Sequence, residues 1–225
     1  MSRSQSRSAA DFIPSGKTIP ILREAVQSCR GCDLYQYATQ AVFGEGPPSA
    51  SIVFIGEQPG DEEDRMGRPF VGPSGRLFDR ALEEAGIDRS VVYVTNAVKH
   101  FKFEERGKRR IHKKPSASEI KACRPWLEAE LAAIEPEIIV CLGATAAQSV
   151  FGPDYRLTKE RGLFVKHPWA PRATSTVHPS AILRAPNEQR HLEYERFVED
   201  LKKIGRTATS PHRAHAHSAR LQNVP

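Results

Sequence analysis

Residues 51–85 constrain the fold more than any other stretch of this chain. An apolar run, Ser51-Ile52-Val53-Phe54-Ile55, leads into Gly56-Glu57-Gln58-Pro59-Gly60. The loop continues through Asp61, Asp64, Arg68, Pro69, Phe70 and Val71 to Gly72-Pro73-Ser74-Gly75. Leu77, Phe78, Ala81, Leu82 and Ala85 then recur at helical spacing. A buried strand followed by a long glycine-rich loop and a helix is the predicted unit. Open α/β sheets bind ligands beyond the carboxyl ends of their strands. Glycine lets backbone approach a ligand closely, and this loop also carries carboxylates, an amide and one aromatic ring.

The flanking sequence repeats the alternation. Apolar runs at 91–94, 137–142, 163–165 and 174–177 predict further strands, and helices are expected near 19–29, 117–134, 143–150 and 187–204. Ser116 and Glu119 form a capping-box pattern ahead of the helix at 117. Strands alternating with helices imply an α/β fold, a three-layer α/β/α sandwich around a mostly parallel sheet. The loops at Glu57, Asn96 and His178 all follow strands and should converge at one sheet edge. Residues 101–114 hold Lys102, Arg106, Lys108, Arg109, Arg110, Lys113 and Lys114 and read as an exposed basic loop. Residues 1–18 are rich in Ser and Arg and read as a disordered tail, 19–204 as the folded domain, and 205–225 as a mobile basic tail.

The formal net charge is +6 and the pI about 9.2, which favours a polyanionic partner. No apolar run is long enough for a transmembrane helix, and the N-terminus lacks the apolar segment of a secretory signal. The expectation is a cytoplasmic protein without a membrane partner. In a reducing compartment four cysteines are more often metal or cluster ligands than disulfides. Cys29 and Cys32 form a Cys-x-x-Cys pair, and Cys123 and Cys141 are separated by seventeen residues. Four thiolates can hold zinc or a 4Fe-4S cluster. A zinc ribbon shows two tight pairs, whereas this spacing suits a site drawn from three elements. Cys141 alone reads as a buried apolar thiol.

Taken in order, Gly56-Glu-Gln-Pro-Gly60, Gly67-Arg-Pro-Phe-Val-Gly-Pro-Ser-Gly75, Thr95-Asn-Ala-Val-Lys99, His178-Pro-Ser180 and the four cysteines resemble the uracil-DNA glycosylase superfamily. The similarity is to its iron–sulfur (family 4) members, and within them to the UdgX branch, over roughly residues 19–204. Ordinary family 4 enzymes have Ala at the position of Gln58 and lack the insertion ending in Arg109-Arg110-Ile111-His112. The resemblance implies a 4Fe-4S cluster on Cys29, Cys32, Cys123 and Cys141. It implies a monomer acting on uracil-containing DNA, single-stranded or also double-stranded, in the bacterial cytoplasm at the nucleoid, with free uracil as a product.

Excision breaks the C1′–N1 bond, and the flipped-out base is read by stacking and by hydrogen bonds to its edge. Phe70 suits the stacking platform, with core packing as its competing reading. Asn96 can donate to O4 and accept from N3–H, a pattern that cytosine reverses; the competing reading is a strand-end turn residue. His178 suits a donor to the developing oxyanion at O2. Gln58 cannot act as a base near neutral pH, which leaves Glu57 or Asp61. Gln58 and Asp61 are both expected beside the substrate. A neutral imidazole at His112 can attack C1′ directly, with Glu57 holding its tautomer. The UdgX resemblance implies that this histidine stays bonded to the abasic sugar. Lys108, Arg109, Arg110 and Arg184 are expected to contact phosphate, or else to form a solvated charged face. The main expectation is covalent capture of the abasic site by His112. The alternatives are a hydrolytic uracil-DNA glycosylase that releases its product and a non-catalytic iron–sulfur DNA-binding module.

Overall fold

The structure is a computed structural model and describes residues 8–208. Five strands form the central sheet in the order β2-β1-β5-β7-β6. They are β1 (Ile52–Gly56), β2 (Val92–Asn96), β5 (Ile138–Leu142), β6 (Val165–His167) and β7 (Ala170–Thr176). All neighbours are parallel except β6, which runs antiparallel to β7 at the edge. Strands β1, β2 and β5 are buried at every position, as expected for strands covered on both faces.

The strands alternate their side chains between two cores. Val53, Ile55, Tyr93, Ile139 and Cys141 face the N-terminal segment, α1 (Ile19–Ala25), α4 (Ala117–Ile134) and α5 (Ala144–Phe151). Ile52, Phe54, Val92, Val94, Ile138 and Val140 face α3 (Pro73–Glu84) and α8 (Asn187–Thr207). This period of two builds the expected three layers. The capping box at α4 is present, with the Ser116 hydroxyl accepting from Glu119 N–H at 3.3 Å and Glu119 accepting from Ser116 N–H at 2.6 Å.

The chain departs from β1 to β2 on one side and from β5 to β7 on the other, so the order reverses between β1 and β5. In open α/β sheets the binding crevice lies at such a switch point. The loop after β1 begins there, and so does Gly143 at the start of α5, whose φ of +88° requires glycine.

Three expectations need correction. Residues 101–114 are not an open loop but a hairpin of β3 (Phe103–Arg106) and β4 (Arg109–His112). Gly107, at φ +61°, makes its two-residue turn. Phe101 is fully buried, and Phe101 and Phe103 stack at 5.2 Å, giving the hairpin an apolar foot. The loop after β1 contains a short helix, α2 (Asp61–Met66). Disorder through residue 18 does not hold from residue 8 onward. Ala9–Phe12 form a 3-10 turn that buries Ala9 against the core, and α1 follows. At the other end α8 continues to Thr207. Residues 1–7 and 209–225, including most of the expected basic tail, lie outside the described residues. No helix among those described is long and apolar enough to cross a membrane.

Candidate active site

A cleft of about 810 Å³ opens at the switch point. Its lining includes Glu57, Gln58, Asp61, Phe70, Asn96, His112, His178 and Arg184. The sequence-predicted residues from the three strand ends therefore do converge.

The floor is made by Gly56 and Asn96, which pair across β1 and β2. A Cβ on Gly56 would stand 2.3 Å from Asn96 Oδ1 and 2.9 Å from Phe70 Cζ. Only glycine lets the amide and the ring approach each other there. Phe70 itself sits at φ +57°, a conformation that costs a bulky residue about 1–3 kcal/mol. Its ring is half-buried against Phe78, with centroids 5.5 Å apart, and stacks toward His178 at 6.2 Å and 29°. Both readings of Phe70 therefore describe part of it: one side packs on the core and the residue also lines the cleft.

Glu63, a residue the sequence reading did not single out, holds this loop closed. Its carboxylate accepts from Gly60 N–H at 3.0 Å and from Gly72 N–H at 2.7 Å. Gly75 completes the fit, since a Cβ there would lie 1.7 Å from the Phe70 carbonyl oxygen.

His178 precedes α7 (Pro179–Arg184), and its Nδ1 accepts from the Ser180 backbone N–H at 3.1 Å. The amide can only donate, so Nδ1 is the acceptor and Nε2 carries the proton. Burial pushes the His178 pKa down to about 4, against the raising effect of Glu57. The ring is therefore a neutral donor at pH 7, suited to an oxygen that gains charge.

Glu57 stands at the end of β1 with His112 Nε2 3.2 Å from its Oε1. Burial raises the Glu57 carboxyl, but the nearby His112 ring and Thr145 hydroxyl outweigh it and hold the group below the usual range. It is an ionised carboxylate at neutral pH. The 3.2 Å approach is not an aligned hydrogen bond, and Glu57 Oε1 is buried without one.

The hairpin that carries His112 is fastened at both ends by Gln58. Gln58 Nε2 donates to the carbonyls of Lys102 and Lys113, each at 3.1 Å, and Oε1 accepts from Lys102 N–H at 3.1 Å. Gln58 was expected to contact substrate, but its amide is already engaged in this clamp. Arg110 needs a similar correction. Its guanidinium binds Asp61 at 2.5 Å and Asp64 at 2.7 Å and lies over the rings of Phe101 and Phe103. It fixes the hairpin to α2 and is not free for phosphate, and Asp61 is correspondingly engaged. Lys108, Arg109 and Arg184 are exposed.

The four cysteines share one core cluster of side chains. Trp126 Nε1 donates to Cys29 Sγ at 3.1 Å, and Lys99 N–H to Cys123 Sγ at 3.3 Å. Such donors favour thiolate sulfur. As free thiols, Cys32 is raised by burial and further by Cys29, and Cys123 is raised by burial and further by Cys32 and Cys29. Cys141 is raised by burial alone. Among the described residues no group of three or more ligating side chains is drawn together as a metal site. The donors at Cys29 and Cys123 suit ligating thiolates.

Residues 43–202 match the uracil DNA glycosylase superfamily. The chain is 39% identical to a type-4 uracil-DNA glycosylase of Sulfurisphaera tokodaii, covering 85% of this chain and 86% of that one. It is 40% identical to a type-4 uracil-DNA glycosylase of Thermotoga maritima over 81% and 91% of the two chains. It is 38% identical to the type-4 enzyme of Archaeoglobus fulgidus over 82% and 90%. Matched over most of its folded length, this chain belongs to the uracil DNA glycosylase superfamily.

Proposed function

We propose that the cleft excises uracil from DNA by hydrolysis and releases the product. The observation that carries this reading is the joint presence of Phe70, Asn96, His178 and ionised Glu57 in one cleft, in a chain whose full-length relatives are named uracil-DNA glycosylases. The flipped base stacks on Phe70, and such stacking contributes about 1–3 kcal/mol. Asn96 donates to O4 and accepts from N3–H. As the C1′–N1 bond breaks, charge develops on O2 and His178 Nε2–H donates to it. Glu57 faces the cation-like sugar and accepts a proton from the attacking water. Water oxygen bonds to C1′, and the uracil anion leaves and is protonated by solvent.

A second reading has its own observation. The His112 ring stands 3.2 Å from Glu57 and lines the cleft, so its imidazole can reach C1′ in place of water. The C1′–N bond to His112 then forms as the C1′–N1 bond breaks, and Glu57 takes the second ring proton. The two outcomes separate on one gel. With labelled uracil-containing single-stranded DNA in excess, hydrolysis yields more free uracil than protein and no shifted band after boiling in SDS. Capture yields uracil equal to protein and a heat-stable band that His112→Ser abolishes.

Cys29, Cys32, Cys123 and Cys141 are proposed to hold a 4Fe-4S cluster. Bound there, the cluster supplies a structural staple between the N-terminal segment and α4, with no part in base excision. Steering of DNA falls to Lys108, Arg109 and Arg184.

A further inference from the structure

Behind the cleft lies an ion pair that the excision chemistry does not use. Lys99 and Glu130 have no solvent exposure at all, and the Lys99 ammonium binds a Glu130 oxygen directly. Glu130 also accepts from Gly44 N–H at 3.0 Å, Tyr93 Oη at 2.9 Å and Thr95 Oγ1 at 2.9 Å. The Lys99 ammonium donates further to Thr95 Oγ1 at 2.7 Å and to the main-chain carbonyl of Asn96 at 2.8 Å.

That last contact ties the pair to the site. The peptide between Asn96 and Ala97 has one carbonyl and one N–H. The carbonyl is held by Lys99, and the N–H donates to Gly56 O at 2.9 Å. Val98 N–H then donates to Glu57 O at 3.0 Å. Both polar groups of the peptide that aims the Asn96 side chain are therefore fixed, one of them by a buried cation. A buried pair contributes little net stability, because desolvation offsets its attraction. Well-packed apolar residues would hold the core as well, so stability alone does not explain this charge.

We infer that Lys99, held in place by Glu130, is a positioning residue that fixes the Asn96 backbone so that its amide meets the base edge. The inference rests on the proposed reading of Asn96 as the group that reads uracil.

The test removes both charges together, because a single substitution would leave one buried charge unpaired. Lys99→Met/Glu130→Gln is compared with wild type and with Asn96→Ala under single-turnover conditions on uracil-containing single-stranded DNA. The expected result is an excision rate roughly 10- to 100-fold lower, the range that small misplacements of a positioned group produce. DNA affinity and thermal midpoint should stay close to wild type. A folded double variant that works at the wild-type rate, beside a slow Asn96→Ala, overturns the inference and leaves the reading of Asn96 intact. Asn96→Ala at the wild-type rate removes that reading itself. If the double variant does not fold, Thr95→Val carries the test: it deletes one of the lysine's acceptors at constant shape. Slower excision at unchanged DNA affinity supports the inference, and an unchanged rate overturns it.

Discussion

Replacing Gln58 by Ala should loosen the hairpin without loosening the domain. The Gln58 amide makes three hydrogen bonds, two to Lys102 and one to Lys113. At about 1 kcal/mol net for each, they contribute roughly 3 kcal/mol to closing the hairpin on the loop after β1. Lys113 is exposed, so water can satisfy its carbonyl in the variant, and the loss falls to about 2 kcal/mol. That raises the open population roughly thirtyfold. Arg110, held by Asp61 and Asp64, still tethers the tip half of the hairpin, so full detachment is not expected. Native-state hydrogen exchange reads this directly. The Lys102 amide, whose acceptor is Gln58 Oε1, should exchange roughly 10- to 100-fold faster in Gln58→Ala. Amides inside β1 and β5 should keep their protection. If the Lys102 amide exchanges at the wild-type rate, the clamp contributes nothing to hairpin closure and the reasoning fails.

Other perturbations follow from the same contacts. Gly75→Ala would drive a Cβ into the Phe70 carbonyl; excision should fall together with stability, and wild-type activity with an unchanged melting point would show that Phe70 is not held by this contact. Burial lowers the pKa of His100 to about 4, with Asp64 opposing, and His178 behaves alike. Both are neutral in the fold, and the unfolded chain binds more protons between its pKa near 6.5 and about 4. Stability is thus fully present above pH 6.5 and is lost as pH falls, by about 2 kcal/mol per histidine between pH 7.5 and 5. Urea midpoints should show that loss, and His100→Asn should remove roughly half of it. For the cysteines, Cys123→Ala and Cys141→Ala should each abolish iron and sulfide incorporation, and iron retained in either variant excludes that cysteine as a ligand.

The sheet was legible because its strands are short apolar runs bounded by polar or glycine residues, and burial on both faces leaves no other place for 52–55 or 138–142. The convergence of Glu57, Asn96 and His178 followed from topology alone, since all three end parallel strands. The hairpin was not legible as structure. Its apolar foot is Phe101 and Phe103, and most of the rest is charged, so composition reads as loop; the signal present was Arg106-Gly107-Lys108, a glycine able to make a tight turn between short, mostly polar strands. The partners of Arg110, Gln58 and Lys99 could not be read either. Asp61 and Asp64 lie far from Arg110 in sequence, and Glu130 is a helix position that would ordinarily face solvent. Which charges meet is set by packing, and only the fold shows that Arg110 is paired with Asp61 and Asp64. The expected N-terminal tail was drawn too long because Ser- and Arg-rich composition masked Ala9, whose backbone packs where Gly31 carries no Cβ.

The most direct measurement of the central claim is chromatographic detection of free base after the protein meets a DNA strand carrying one uracil, beside the same strand carrying cytosine. Free uracil from the first strand, none from the second, and loss of release in Asn96→Ala are the predicted results. A uracil strand recovered intact, with no base set free at any protein concentration, would contradict the assignment of this cleft to excision.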